Sequence, residues 1–388
     1  MKFLKILLVI LAVIVIILLV ARYKFSVNPP LGLLVKPNNT NLPLEKLKLP
    51  EGFVISIFAD SVVNARSLSY SPSGTLFVST RSEGNVYALK DTDGDYIADK
   101  RYTILKGGNM PNGVAFKDGD LYIAEVNRIL KISDIESKLD NPGSPEIVYD
   151  KYPTDKHHGW KYVAFGPDGK LYVPVGAPCN VCESKEKVYA SMTRMNLDGS
   201  DMEVVHSGIR NSVGFDWHPV TKKLYFTDNG RDMMGDDIPE CELNYASSEN
   251  MHFGFPYCHQ GDTPDPEFGK TRNCDEFTPP AAKLGPHTAP LGMTFYTGNQ
   301  FPEMYHNQIF IARHGSWNRS KKSGYDIVLA TLNADGTVLD TKPFITGWLD
   351  EGTDDVWGRP VDMEILPDGS MLISDDYADV VYRVYYKG

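Results

Sequence analysis

Residues 161–176 read KYVAFGPDGKLYVPVG: an alternating apolar strand, a Pro-Asp-Gly reversal, and a second alternating strand. Such a turn between two period-two runs is a β-hairpin signature. The unit returns as SLSYSPSGTLFVST (67–80), NGVAFKDGDLYIAE (112–125), SVGFDWHPVTKKLYFTDNG (212–230), GMTFYTGNQFPEMYHNQIFIARHG (292–315) and VDMEILPDGSMLISDD (361–376). Shorter strands such as GNVYALKD, SMTRMNLD and YDIVLATLN separate the copies, and long amphipathic helical patterns are absent. Six copies over some 340 residues give about 57 per copy, a propeller blade and not a solenoid rung. The expected fold is all-β, a six-bladed β-propeller over residues 49–388. The stretch 231–289 reads as an insertion on one face.

The residues before the body differ in kind. MKFLK precedes sixteen apolar residues (6–21) and then Arg22. With no small-x-small cleavage signal, a membrane anchor is preferred over a cleaved signal for residues 1–25. Basic residues flank the run on both sides, so orientation stays undecided. Either reading exports the rest of the chain. Residues 26–48, rich in Pro and Asn, read as an extended linker. The net charge of −11 and the lack of any Lys/Arg run exclude non-specific nucleic-acid binding.

Five cysteines suit an exported protein. No second CxxC or paired-His motif accompanies Cys179 and Cys182, so structural disulfides are the reading, with one thiol left over. Cys179–Cys182 with Cys258–Cys274 is one of about fifteen ways to draw two bridges.

In a propeller the inner strand of each blade begins at one mouth of the central channel. The residues before the copies are Asn112, His157 and His158, Arg210 and Asn211, Pro290, and Arg359. Singly each is an ordinary turn or surface residue. Together they form a cationic group in an acidic chain, which points to an anionic ligand. The Asp-rich loop TDNGRDMMGDDIPECELN (227–244) suits calcium or is simply solvated. In DTDGDYIADK, Asp91, Asp93, Asp95 and Asp99 have calcium-loop spacing. Tyr96 and Tyr102 stand where an EF-hand needs Gly and Glu, which leaves a single-loop calcium site or a polar turn.

HHGWKYVAFGPDGKLYVPVGAPCN, GIRNSVGFDWHP, TDNGRDMMGDD with ELN and MHFGFPYC, and GRPVDMEILPDGSMLISDD, in this order from about Leu49 to the C-terminus, resemble the soluble-type quinoprotein sugar dehydrogenases. The sorbosone or aldose dehydrogenase branch, which uses pyrroloquinoline quinone (PQQ), is the most similar. The resemblance implies PQQ in the channel mouth and a bridging calcium ion. It implies that His158 (His157 as the alternative) is the general base and that Arg210 and Asn211 meet the quinone. Asn229 becomes a cofactor-contacting amide, and Gly230 and Arg231 become calcium ligands through their carbonyls. Arg359 then binds a cofactor carboxylate, Asp375 lies near the same rim, and Asn112 supplies another amide. The chain departs from the family in three places, one being Arg231 where the family often has Pro. Val361 stands where glucose-oxidising members carry a second arginine, and ARHGSWNRSKK lacks the fifth-blade lysine, with Arg313, Arg319 or Lys321 as substitutes. The implied reaction is oxidation of an aldose or sugar aldehyde, with electrons passed to an external acceptor; no CxxCH haem motif is present. Two other readings are a calcium-dependent lactonase-type hydrolase and a non-catalytic binding propeller. Specificity is expected in loops 176–195, 231–289 and 314–325.

Overall fold

A computed structural model describes residues 2–25 and 41–388. An α-helix spans Lys2–Phe25, and its described side chains are exposed. Among the described residues no helix is long and apolar enough to cross a membrane, so the anchor expected at residues 1–25 gains no support here. The linker expected at 26–48 falls mostly outside the described residues. Its last part is packed: Leu42 and Leu47 are buried and Lys48 bridges to Thr346, so the folded body begins before Leu49.

Six antiparallel sheets make six blades, as the repeats require. From the channel outward, blade 1 is Ala65–Tyr70, Thr75–Thr80, Val86–Lys90 and Lys100–Leu105. Blade 2 starts at Gly113–Lys117 and Asp120–Ala124, and blade 3 at Ala164–Phe165 and Leu171–Val175. Blade 4 begins with Phe215–Trp217 and Leu224–Asp228, and blade 5 with Pro290–Phe295 and Ile309–Arg313. Blade 6 takes Pro360–Ile365, Met371–Asp375 and Val380–Tyr386 from the C-terminus. Its outer strand, Phe53–Ala59, comes from the other end of the chain and closes the ring in register Phe53↔Tyr386 to Ala59↔Val381.

The period-two pattern has a specific meaning in this ring. Second strands are buried on both sides, as in Thr75–Thr80. Alternation there does not sort core from solvent; it sorts side chains between two neighbouring interfaces. Leu76 and Val78 pack toward blade 6, whereas Phe77 joins Val114, Leu121 and Ile123 of blade 2. Each pair of adjacent blades encloses one such cluster. Val213, Leu291 and Val361, from blades 4, 5 and 6, pack with Trp160 at the centre.

Part of the expected insertion is blade 4 itself. Glu240–Ala246 is its third strand and Ala282–Pro286 its fourth. Between them Met251–His252 adds a parallel fifth strand to blade 3, and a hairpin of Cys258–His259 with Thr263–Pro264 follows. Cys179–Cys182 and Cys258–Cys274 are both bonded, and Cys241 is free and buried.

Phe53 opens the closing strand, its ring edge-on to Phe301 at 4.8 Å and to Phe344 at 5.0 Å. Phe53→Ala is expected to cost about 3 kcal/mol through lost burial and a cavity. Urea unfolding measures it; a change under about 1 kcal/mol would mean that the cluster does not brace closure.

Candidate active site

Adjacent strands run in opposite directions, so the starts of first strands and the ends of second strands share one mouth. A cavity of about 290 Å³ opens there. Arg66 and Arg81 enter it from blade 1, His158 and Trp160 from the approach to blade 3, and Arg210, Asn211, Asn229 and Gly230 from blade 4. Blade 5 adds His314, and the approach to blade 6 adds Arg359.

His158 sits in left-handed backbone (φ 48°), uncommon for a residue with a side chain and a frequent feature of functional sites. Its Nδ1 is 2.9 Å from the Ala177 carbonyl oxygen. A carbonyl only accepts, so Nδ1 carries the proton and Nε2 keeps its lone pair. Gly176 permits this approach: a Cβ there would lie 2.5 Å from His158 Cβ. Burial, then Arg210 and His157, pushes the imidazole pKa down to about 2, so the ring is neutral at ordinary pH. His157 is exposed, packs against His158 at a centroid distance of 4.1 Å, and does not line the cavity. Of the two histidines, His158 is the one presented to the cavity.

Arg210 is gripped on every side. Its Nε donates to the Asn180 carbonyl (2.8 Å), and Nη2 to Asn180 Oδ1 (2.9 Å) and Asp232 (3.3 Å). Nη1 donates to the carbonyls of Asn229 (3.1 Å) and Gly230 (2.9 Å). Asn180 lies inside the Cys179–Cys182 loop, so that disulfide braces the cavity wall. Below, Asp228 accepts from the amides of Arg210 and Asn211. The Asn229 amide donates to the carbonyls of Asn211 and Pro290, tying blade 4 to blade 5.

Opposite, Asp376 holds Arg66 (2.8 Å) and His314 (2.7 Å). Burial, followed by Arg359, pushes the His314 pKa down to about 3, so the neutral ring donates its Nε2 proton to Asp376. Burial alone would raise the Asp376 carboxyl; His314, Arg66 and Arg359 together hold it well below the ordinary range. We assign the negative charge to Asp376 and its lasting partner to Arg66. Arg359 donates to the carbonyls of His314 and Gly315 and pairs with no carboxylate among the described residues. Arg81 has no hydrogen-bond or ion-pair partner among them; its guanidinium carbon stands 4.7 Å from the Trp160 ring centroid. Burial and the nearby Arg66 push its pKa down to about 10, and it stays charged.

Several expected roles move. Asn112 does not line the cavity; buried behind it, its Oδ1 accepts from Arg66 Nε (2.8 Å). Asp375 also lies outside, accepting from the amides of Tyr377 and Ala378 and the Tyr382 hydroxyl, and its neighbour Asp376 faces the arginines. Arg313 is consumed by Asp326 and the Leu284 carbonyl, and Arg319 by carbonyls of its own face. Blade 5 therefore contributes His314, and the cations missing from blades 5 and 6 come from blade 1 as Arg66 and Arg81. Arg231 turns its side chain to Asp265. Asp91, Asp93 and Asp95 do cluster, but between the third and fourth strands of blade 1, on the face away from the cavity. Asp99 instead accepts from Thr92.

These geometries test the two groups that the resemblance implies. Four guanidinium groups line the cavity with one carboxylate, Asp232, and Asp376 behind Arg66; two buried donors, Arg81 Nε and Trp160 Nε1, lack any acceptor among the described residues. Buried donors normally find partners, so the cavity fits a multiply charged anion such as PQQ. Calcium fits poorly, because the Gly230 carbonyl assigned to it already accepts from Arg210, amid positive charge.

A family model described as a domain of unknown function (DUF7133) matches residues 39–383. The chain belongs to that family. An uncharacterised protein of Borreliella burgdorferi is 35% identical over 356 residues, 88% of this chain and 91% of that one. A PQQ-dependent pyranose dehydrogenase of Coprinopsis cinerea is 38% identical over 76 residues, 18% of this chain and 10% of that one. Among solved structures, a Trichoderma reesei carbohydrate-active enzyme of family AA12 superposes with TM-score 0.78 at 17% identity, covering 91% of this chain and all of that one. The holo PQQ domain of the Coprinopsis cinerea pyranose dehydrogenase gives 0.74 at 16%, covering 87% and 97%. PQQ-bound aldose sugar dehydrogenase of Streptomyces coelicolor gives 0.62 at 18%, covering 87% and 99%. The resemblance seen in the sequence is thus met in the fold.

Because Arg81 is a half-buried charge with no carboxylate partner and an unmet Nε donor beside other cations, Arg81→Gln is expected to stabilise the protein without added ligand by about 1 kcal/mol. Thermal or urea denaturation reads it. Destabilisation of that size instead would mean that Arg81 braces the fold.

Proposed function

We propose that the protein is a PQQ-dependent oxidoreductase that oxidises an aldose or sugar aldehyde to the lactone or acid. The observation that carries this is one cavity joining a neutral, tautomer-locked His158 to four arginines and two unsatisfied buried donors. The likeness to PQQ-holding propellers supports the same reading. Bound PQQ supplies an electron-poor quinone that accepts hydride.

Arg81, Arg359 and Arg66 would hold the cofactor's carboxylates, while Arg210, whose donors are all taken by protein acceptors, would add its positive charge to that side of the cavity. His158 Nε2 takes the proton from the anomeric hydroxyl or aldehyde hydrate, while the Ala177 carbonyl keeps Nδ1–H pointing away. The clamp of Asn180 and Asp232 on Arg210 fixes that side of the cavity. Trp160 and Leu291 form an apolar floor that excludes water. Electrons leave to an external acceptor. The apolar run at 6–21 supports export, with the leading segment as a membrane anchor. A calcium-dependent hydrolase would gather carboxylates around a metal, and this ring of arginines argues against it.

The test is titration of the full chain with PQQ, following cofactor absorbance and dye reduction with aldoses. His158→Ala should lower kcat by about two to four orders of magnitude with PQQ binding retained, and His157→Ala by less than about tenfold. Failure to bind PQQ would sink the proposal. A base already neutral at low pH also places the acid limb of kcat/KM below about pH 6.5, the ordinary imidazole value. An acid limb at or above that value would assign the proton transfer to another group.

A further inference from the structure

A second cavity, about 510 Å³ and larger than the first, opens on the same face. One wall is the segment after blade 3's second strand, with Glu183, Glu186 and Tyr189; the other is His252, Phe255 and Tyr257. The two cavities share a partition. Ala177 lends its carbonyl to His158, Asn180 clamps Arg210, and Ala177, Pro178 and Cys182 line the second cavity on the reverse side.

The chemistry of the two spaces is opposite. The first holds four arginines. The second has two carboxylates against Lys187, which disfavours an anion, and aromatic side chains beside them. Carboxylates accept from hydroxyls, and aromatic faces take the C–H faces of a ring. That combination suits a neutral polyhydroxylated ligand. The walls are also preset. Cys179–Cys182 ties one and Cys258–Cys274 the other. The Tyr257 hydroxyl donates to Glu183 across the gap (2.6 Å). Its ring stacks on Phe277 (5.8 Å, 6° between planes), with Arg272 over both. A preset site loses little ordering entropy on binding.

We propose that this second cavity is a saccharide subsite, and that the substrate is the reducing end of a neutral oligosaccharide. The terminal aldose reaches His158, and the following sugar units cross the Ala177–Cys182 partition to lie against Tyr257 and Tyr189. The proposal rests on the sugar-oxidation reading for its first unit, and its test separates the two.

The holoprotein is assayed with glucose and with β-1,4- and α-1,4-linked glucose di- and trisaccharides. Calorimetry measures binding of the same oligosaccharides, borohydride-reduced at the end and so not oxidisable, to protein without cofactor. One linkage series should show kcat/KM rising by about tenfold or more from one unit to three. Tyr257→Ala and Glu183→Gln should each remove that gain, leave glucose unchanged and abolish binding of the reduced oligosaccharide. Equal kcat/KM at all lengths with no such binding overturns the subsite. So does a parallel loss for glucose and trisaccharide in the Glu183→Gln variant, which would make the wall a support of the reacting centre. If no sugar is oxidised yet reduced oligosaccharides bind the parent and not the variants, the subsite stands and the oxidation reading falls.

Discussion

One buried carboxylate organises the positive side of the cavity. Asp376 sits at the end of blade 6's second strand, takes Arg66 from blade 1, and receives the ring proton of His314 from blade 5. Three blades are tied through one ionised group, which keeps its charge because a guanidinium is always at hand. Without it, Arg66 would be a fully buried cation with no carboxylate partner, next to Arg81. Arg359 is held by neutral carbonyls, which orient a guanidinium without cancelling its charge; Arg210 has carbonyls and the carboxylate of Asp232, and Arg81 stacks on Trp160 alone. The cavity is thereby cationic inside a chain of net charge −11.

His158 is treated in the opposite way. A protonated imidazole next to Arg210 in a poorly solvated space is disfavoured, so the field that attracts an anion also keeps His158 a base. Under the proposed function, anion recognition and proton abstraction have one physical origin in this site. The Ala177 carbonyl adds the second condition, a fixed tautomer, and Gly176 makes room for it.

The repeat made most of this legible in advance. Alternation and turns located both inner strands of every blade, and a missing side-chain volume at Gly176 needed no foresight. His158, Arg210, Asn211 and Arg359 were readable as mouth residues because they precede a copy, whereas Asn229 and Gly230 came from the family resemblance. Arg66 was not, because it lies inside the first strand and the quoted copy begins at Ser67. Arg81, His314 and Asp376 follow second strands, which antiparallel pairing returns to the same mouth, so the entrances of the copies do not reveal them. Asn112 and Asp375 were misread for a different reason: position along a strand fixes which end a residue occupies, not which way its side chain turns. Arg313 shows the same limit, since Asp326 opposite it in the ladder claims it. Asn180 carried no sequence signal apart from its place between two cysteines.

Ring closure by Phe53–Ala59 has a consequence for how the molecule comes into being. The strand made first pairs with Val380–Tyr386, made last, and Arg66 waits 310 residues for Asp376. Contacts that distant in sequence form slowly, because a long loop must be ordered before they are rewarded. A chain emerging from a ribosome or a secretion channel therefore carries an unpaired edge strand and an uncompensated arginine until its final residues arrive. Blades can condense on their neighbours as they appear, but the cavity is completed in the last step, with the whole chain present.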